Sequence, residues 1–93
     1  MLSKIPIDLD KKENIEKEIL RVAIIAELDA INLYEQMAAM TNNQKLKDVL
    51  MDVADEEKTH VGEFLTMLLK LDKKQVEELE EGRKEVEEIL RGE

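Results

Sequence analysis

Two long stretches of helix-forming residues, separated by one short polar break, constrain the fold of this chain most strongly. The break is the Thr-Asn-Asn segment 41–43, and apolar side chains recur at about 3.6-residue spacing on both sides of it. The only proline is residue 6, and glycine occurs only at 62, 82 and 92. The pattern predicts an all-α chain in which two long helices form an antiparallel hairpin.

The 93 residues are expected to form one small domain with three helices. We predict helix 1 over 10–40, helix 2 over 43–71 and a shorter, charged amphipathic helix 3 over 73–91. The spacing Asp-x-x-Glu that begins at Asp10 resembles a capping box and would start helix 1. Residues 1–9 are apolar around a proline, and we expect an extended lead-in that packs on the domain or on a partner.

Two carboxylates and the only histidine lie on faces that are otherwise apolar. Glu57 interrupts an apolar stripe of helix 2, and His60 follows it by one helical turn. Burying unpaired carboxylates costs several kcal/mol, and no lysine or arginine shares these faces to compensate the charge. Glu27 interrupts the apolar face of helix 1 in the same way, with apolar or aromatic neighbours at Leu20, Ala23, Ile24, Ala30, Ile31 and Tyr34. The pattern in the two helices therefore predicts a bound metal ion.

The positions of Glu27 and Glu57 are symmetric about the turn. Glu27 lies fifteen residues before Asn42 and Glu57 fifteen after it, so both are roughly 22 Å from the turn at 1.5 Å per residue. They can therefore face each other across the hairpin. One Glu and one Glu-x-x-His motif are half of the ligand set of a dimetal carboxylate four-helix bundle, so a homodimer is expected to complete the site with two ions.

The composition limits the chemistry of this site. The absence of cysteine excludes disulfides, thiolate zinc sites and iron–sulfur clusters, which leaves oxygen and imidazole ligands. Such ligands suit iron, manganese or zinc, and open coordination positions favour redox-active iron. The net charge of -9 argues against nucleic acid and anionic membranes and favours cations such as iron(II). No signal peptide or membrane segment is recognised, so a cytoplasmic location is expected.

Two segments carry a resemblance to a known family. Ala-Glu-Leu-Asp-Ala-Ile-Asn-Leu-Tyr-Glu-Gln-Met at 26–37 and Asp-Glu-Glu-Lys-Thr-His-Val-Gly-Glu-Phe at 55–64 resemble the encapsulated ferritins, which are cargo of encapsulin shells. The similarity spans about residues 15–90 and is strongest to the ferritin-like domains that some archaea fuse to an encapsulin shell protein. It implies a ferritin-like four-helix bundle made of two chains, a di-iron ferroxidase centre between them, and an annular decamer inside an encapsulin nanocompartment.

The resemblance also implies individual roles. Glu27, Glu57 and His60 from two chains take the metal-ligand and catalytic positions, and Tyr34 takes the position of a tyrosine beside the metals. Some family members carry acids flanking the first ligand that form a metal-uptake site, whereas this chain has Ala26 and Asp29 there, so only Asp29 could serve. The targeting peptide usual in encapsulin cargo is not recognised, so delivery by fusion to a shell protein is the expectation if the chain is cargo.

Three functions are compatible with these residues. The first is a ferroxidase that oxidises iron(II) to iron(III) for storage or detoxification, and the second is a rubrerythrin-like protein that reduces peroxide at a similar centre. The third is a non-catalytic helical assembly module that zinc or calcium staples together. The remaining acids Glu35, Glu56 and Glu63 are interpreted as a solvated face, and Met37, Met40, Met51 and Met67 are interpreted as packing residues.

Overall fold

The computed structural model describes residues 14–92, which form three helices. They are α1 (Ile15–Met40), α2 (Gln44–Leu71) and α3 (Lys73–Arg91). The long helices α1 and α2 form the antiparallel hairpin, so the predicted all-α hairpin with a shorter third helix is confirmed. The predicted lead-in 1–9 and the predicted helix start at Asp10 lie outside the described residues, within which α1 begins at Ile15.

Side-chain capping explains why the chain turns at 41–43. The backbone of Thr41 is extended, which ends α1, and its hydroxyl oxygen accepts a hydrogen bond from the Asn43 N–H at 3.1 Å. The Asn43 side-chain oxygen then accepts from the Leu46 N–H at 3.1 Å and caps α2. Asparagine is among the best N-cap residues because it satisfies an otherwise unpaired backbone donor. The turn is therefore set by local sequence.

Small side chains line the contact between α1 and α2. The buried apolar residues of the described chain are Ala30, Ala38, Ala54 and Leu68. Alanine brings the two helix axes close together but buries little apolar area. Met40 and Met67, which we expected to pack in a core, are 84% and 51% exposed in the single chain. A hairpin offers each helix only one covering neighbour, so much apolar surface stays open.

Helix α3 leaves the hairpin at a large angle. The molecule measures 46 × 45 × 18 Å, which is the outline of a flat L with the hairpin as one arm and α3 in the other. No residue of α3 is buried. The exposed fraction of its apolar side chains rises from 44% at Val76 to 79% at Leu90, as expected for a helix that leads away from its own chain.

Asp72 forms the corner of the L. Its Oδ1 accepts a hydrogen bond from the Gln75 N–H at 3.1 Å, which caps α3, and its Oδ2 accepts one from Arg21 Nη2 of α1 at 3.0 Å. The Gln75 N–H, followed by Arg21, holds the pKa of the Asp72 carboxyl below its usual range although burial opposes this shift. One side chain thus ties α1 to the start of α3.

The Arg21–Asp72 pair is expected to make the stability of the fold depend on pH. Because the pKa of Asp72 is lower in the folded chain, its stabilisation is present above the ordinary carboxyl pKa of about 4 and is lost as the pH falls further. Asp72→Asn should therefore be less stable than the wild type at pH 7, and the difference should shrink towards pH 3. Urea unfolding at both pH values measures this, with exposed Asp52→Asn as the control. An equal difference at both pH values would contradict the expectation.

Candidate metal centre

The hairpin brings Glu27, Glu57 and His60 together at its middle. His60 Nδ1 lies 3.4 Å from Glu27 Oε2 of α1 and 3.4 Å from Glu57 Oε2 of α2. The candidate ligand atoms of all three residues lie within 4.8 Å of one another. The two helices thus contribute a carboxylate each at the same level, and α2 adds the imidazole.

The register of the hairpin explains this geometry. The capped turn at 41–43 is short, so residues equally far from it along α1 and α2 lie at equal height. Glu57 and His60 are three residues apart and therefore share one face of α2. Alanines 30 and 54 keep the helices near enough for both carboxylates to reach one imidazole.

The site holds more negative charge than the protein neutralises. The side chains of Glu27 and Glu57 are 20% and 19% exposed, whereas the His60 side chain is 43% exposed at the rim. Glu27 Oε2 is buried and accepts no hydrogen bond. Within residues 14–92, no lysine or arginine pairs with either carboxylate. A buried carboxylate oxygen without a donor is costly, so the arrangement calls for a cation.

The distances suit a metal ion better than direct hydrogen bonds. A separation of 3.4 Å between His60 Nδ1 and each carboxylate oxygen exceeds the usual N–H···O distance of about 2.7–3.2 Å. Two ligand atoms that each lie ~2.1 Å from one ion are about 3.0–3.4 Å apart, depending on whether the geometry is octahedral or tetrahedral. Carboxylate and imidazole without thiolate suit iron, manganese or zinc. The three residues therefore fit a metal ion and leave coordination positions open.

Sequence reasoning did not identify the role of Lys58. Lys58 Nζ lies 3.1 Å from Glu35 Oε2 of α1 and 3.4 Å from Asp55 Oδ1, and these acids raise the pKa of Lys58, with Glu35 the main cause. The cation beside Glu57 is thus held by other acids and is not available to the centre. The Asp-x-x-Lys spacing from Asp55 was the available signal, whereas the pairing with Glu35 required knowledge of the helix contact.

The other predicted residues lie outside this cluster. Tyr34 is half-buried on α1, about two turns from Glu27 and on the same side of the helix. Asp29 follows Glu27 by two residues, which places it about 200° further round the helix, and it does not join the group of three. Glu56 and Glu63 are exposed, as expected for a solvated face.

Comparisons with known proteins agree with the fold. The family model described as rubrerythrin matches residues 18–90. The chain is 61% identical over 72 residues, 77% of its length, to a ferritin-like–encapsulin shell fusion protein of Pyrococcus furiosus. It is 30% identical over 74 residues, 80% of its length, to an encapsulated ferritin-like protein of Rhodospirillum rubrum. The chain spans 21% and 53%, respectively, of the lengths of these two relatives.

A solved structure is similar over nearly the whole chain. The crystal structure of the encapsulated ferritin domain from Pyrococcus furiosus superposes with a TM-score of 0.83 at 53% identity, covering 96% of this chain and 90% of that one.

An all-helical hairpin with two carboxylates and an imidazole at its centre defines a ferritin-like, iron-related class of protein. Within that class, the chain belongs to the rubrerythrin family and, inside it, to the encapsulated ferritins. No helix within residues 14–92 is both long enough and apolar enough to span a membrane.

Proposed function

We propose that two copies of this chain form a di-iron centre that oxidises iron(II) to iron(III). The observation that supports this most directly is the group Glu27, Glu57 and His60, with its buried carboxylate oxygen that no protein donor satisfies. One chain offers two carboxylates and one imidazole, which is half of the set that dimetal four-helix bundles use. Two copies would provide four carboxylates, whose charge two divalent ions balance.

The surface around His60 is suited to receive the second copy. Four apolar side chains of α2 share the face of His60 because they lie about whole numbers of turns away from it, and all are between 40% and 60% exposed. We call these four residues and His60 the site face. A second hairpin packed there would cover apolar area and close the centre from water. The four residues are Leu46, Val49, Met67 and Leu71.

In the proposed reaction, iron(II) is the substrate and the protein fixes its position. Two iron(II) ions release two electrons in all, which reduce one dioxygen to hydrogen peroxide with two protons, or one hydrogen peroxide to two waters with two protons. Glu27 and Glu57 hold the ions by their carboxylate oxygens, and His60 holds one ion per chain by Nδ1, the nitrogen that faces both carboxylates. Holding the ions at fixed geometry lets a two-electron oxidation proceed without a chance encounter.

The names of the relatives suggest that the proposed iron oxidation takes place inside an encapsulin shell. One relative is a ferritin-like domain fused to an encapsulin shell, and a protein of Myxococcus xanthus that is 43% identical over 56 residues is an encapsulin nanocompartment cargo protein; this chain covers 43% of its length. We propose that this chain also works inside an encapsulin shell, as an annular decamer built from dimers, and that the ferric product is stored there. The net charge of -9 would raise the local concentration of iron(II).

Iron(II) titration separates this function from its alternatives. Anaerobic titration should saturate at one iron per chain, and air should then produce iron(III) much faster than in buffer alone. Because the chain belongs to the rubrerythrin family, hydrogen peroxide should be compared with air as the oxidant. Rapid oxidation by peroxide with none in air would favour the peroxide-reducing alternative. Metal-dependent assembly without oxidation would favour the non-catalytic assembly module, in which bound metal only holds chains together, and would overturn the proposal.

We propose that Tyr34 affects the rate of iron oxidation and Asp29 the rate of iron uptake. Neither residue is proposed to change the number of iron ions bound per chain. Tyr34 lies on the Glu27 side of α1, and Asp29 lies on a different side near the same level. If Tyr34 takes the position that the family resemblance gives it, Tyr34→Phe should still bind one iron per chain but oxidise it several-fold more slowly, because the variant lacks the phenolic hydroxyl. Asp29→Asn should slow iron uptake at low iron(II) only. Stopped-flow measurement across iron concentrations tests both, and an unchanged concentration dependence in Asp29→Asn would remove it from iron uptake.

A further inference from the structure

Two ion pairs join α1 to α2 in the same register. Arg21 Nη2 of α1 lies 3.0 Å from Oδ2 of Asp72, the residue that ends α2, and Lys58 Nζ of α2 lies 3.1 Å from Glu35 Oε2 of α1. In each pair the residue after the turn lies nine positions further from Asn42 than its partner does. The cation belongs to α1 in the first pair and to α2 in the second. We call Arg21, Glu35, Lys58 and Asp72 the clamp residues.

Both pairs lie on one side of the hairpin. The two clamp residues of each helix are fourteen positions apart, which is close to four helical turns or roughly 21 Å. Glu27 lies between the two clamp residues of α1, so one pair lies on each side of the metal centre along the hairpin. On α2, Lys58 is two residues from His60 and therefore about 200° round the helix. The clamp residues and the imidazole thus occupy nearly opposite sides of the hairpin.

The offset of nine positions follows from helix geometry. Side chains lean towards the N-terminus of their own helix, so those of α1 lean away from the turn and those of α2 lean towards it. Nine residues span about 13.5 Å along the axis, and one long side chain from each helix closes this distance from opposite directions. Sliding one helix by a single turn, about 5.4 Å, would break both pairs together. The two pairs therefore favour one register of α1 against α2.

The packing between the helices leaves a need for this restraint. The register of packed helices is set by ridges of side chains that enter grooves, and the buried contact here is made largely by Ala30, Ala38 and Ala54. Methyl groups make low ridges, so these contacts restrain sliding and rotation only weakly. At a side-chain radius of about 5 Å, rotating a helix by about 20° moves a carboxylate by about 2 Å. Metal–ligand distances vary by only about 0.2 Å, so a small rotation is enough to spoil a site.

We propose that the clamp residues are positioning residues for the metal centre, an inference that rests on the metal binding proposed above. They hold α1 and α2 in the register and rotation that place Glu27 opposite Glu57 before an ion arrives. A single exposed ion pair contributes little, but these two favour the same register, and the Asp72 side chain is only 10% exposed. Ligands that are already in place make metal binding tighter because less ordering is needed.

A charge exchange between Glu35 and Lys58 tests this positioning. Manganese(II) is the probe, since its binding can be followed without turnover. The parent is Asp55→Asn, because Asp55 lies 3.4 Å from Lys58 within α2 and would repel a carboxylate at position 58. This parent should bind manganese(II) as the wild type does. In it, Glu35→Lys and Lys58→Glu alone should each weaken binding about fivefold, since like charges then face each other across the hairpin. Both changes together restore an ion pair and should bind within about twofold of the parent.

Lys58→Glu separates positioning from the electric field of the changed charge. It adds negative charge one residue from Glu57, so the field alone would tighten the binding of a cation, whereas lost positioning weakens it. Lys70→Glu makes the same change of charge at an exposed position of α2 and should not weaken binding. Binding in Lys58→Glu as tight as in the parent, or no recovery in the double exchange, would overturn the proposal.

Two further controls keep the outcome interpretable. Binding is measured at a temperature where circular dichroism shows every variant to be folded. If a like-charge variant unfolds, Lys58→Met removes the pair without repulsion and should bind about threefold more weakly than the parent, with unchanged binding contradicting the clamp. If the exchange pattern held while iron(II) was not oxidised, the proposed oxidation would be wrong and the clamp would stand. If the wild type oxidised iron(II) but the pattern was absent, the clamp would be wrong and the proposed function would stand.

Discussion

Glu57→Ala is expected to abolish iron binding and iron oxidation together. The substitution removes one carboxylate per chain from a group whose ligand atoms lie within 4.8 Å, and it leaves His60 without the Glu57 oxygen that lies 3.4 Å away. Loss of an outer partner of a metal ligand typically costs 10–100-fold in affinity, so loss of the ligand itself should cost at least about 100-fold. Anaerobic iron titration followed by exposure to air measures both quantities on one sample.

The neighbouring residue supplies a matched control. Glu56→Ala removes the same side chain from the same turn of α2, but Glu56 is exposed and outside the cluster. It should bind one iron per chain and oxidise it at the wild-type rate. If Glu56→Ala and Glu57→Ala lost activity equally, the effect would come from the overall negative charge of the hairpin. Full activity in Glu57→Ala would remove this residue from the site.

Metal binding should also raise the thermal stability of the wild type by a large amount, and Glu27→Gln should remove this gain. An ion that binds only the folded chain at 100 times its Kd contributes about 2.7 kcal/mol, which for a domain of this size corresponds to roughly 10–20 °C in Tm. Manganese(II), which does not oxidise in the assay, avoids turnover during the scan. Glu16→Gln is the control, because it makes the same change on an exposed position of α1.

Without metal, Glu27→Gln should not lower the stability of the protein. Glu27 Oε2 is buried without a hydrogen-bond donor, so an amide at this position removes an uncompensated charge. We therefore expect Glu27→Gln without metal to be as stable as the wild type or more stable. A functional residue that destabilises the empty fold is a common compromise between stability and activity. A clear loss of stability in the metal-free variant would instead indicate that Glu27 is structural.

The contact proposed at the site face should depend on metal. Four carboxylates converge there when two hairpins meet, and without bound cations their like charges repel one another. Chelation should therefore weaken this contact.

The sequence alone determined the helices and most of the centre. The capped break at 41–43 fixes the position of the hairpin turn. Glu27 and Glu57 are each fifteen residues from Asn42, so the number of residues alone predicted that they lie at one level and close together. His60 followed because residues three apart share a helix face. These features depend on local hydrogen bonds and on helix geometry, which neighbouring residues control.

Only the tertiary structure decided which side chains the hairpin covers and where α3 points. Periodicity predicted an apolar face for Met40 and Met67 but not that one neighbouring helix would leave them exposed. The Arg21–Asp72 and Lys58–Glu35 contacts join residues 51 and 23 positions apart. Such pairs depend on how far α1 and α2 are each rotated about their long axes. The spacing of residues within one helix does not determine that rotation.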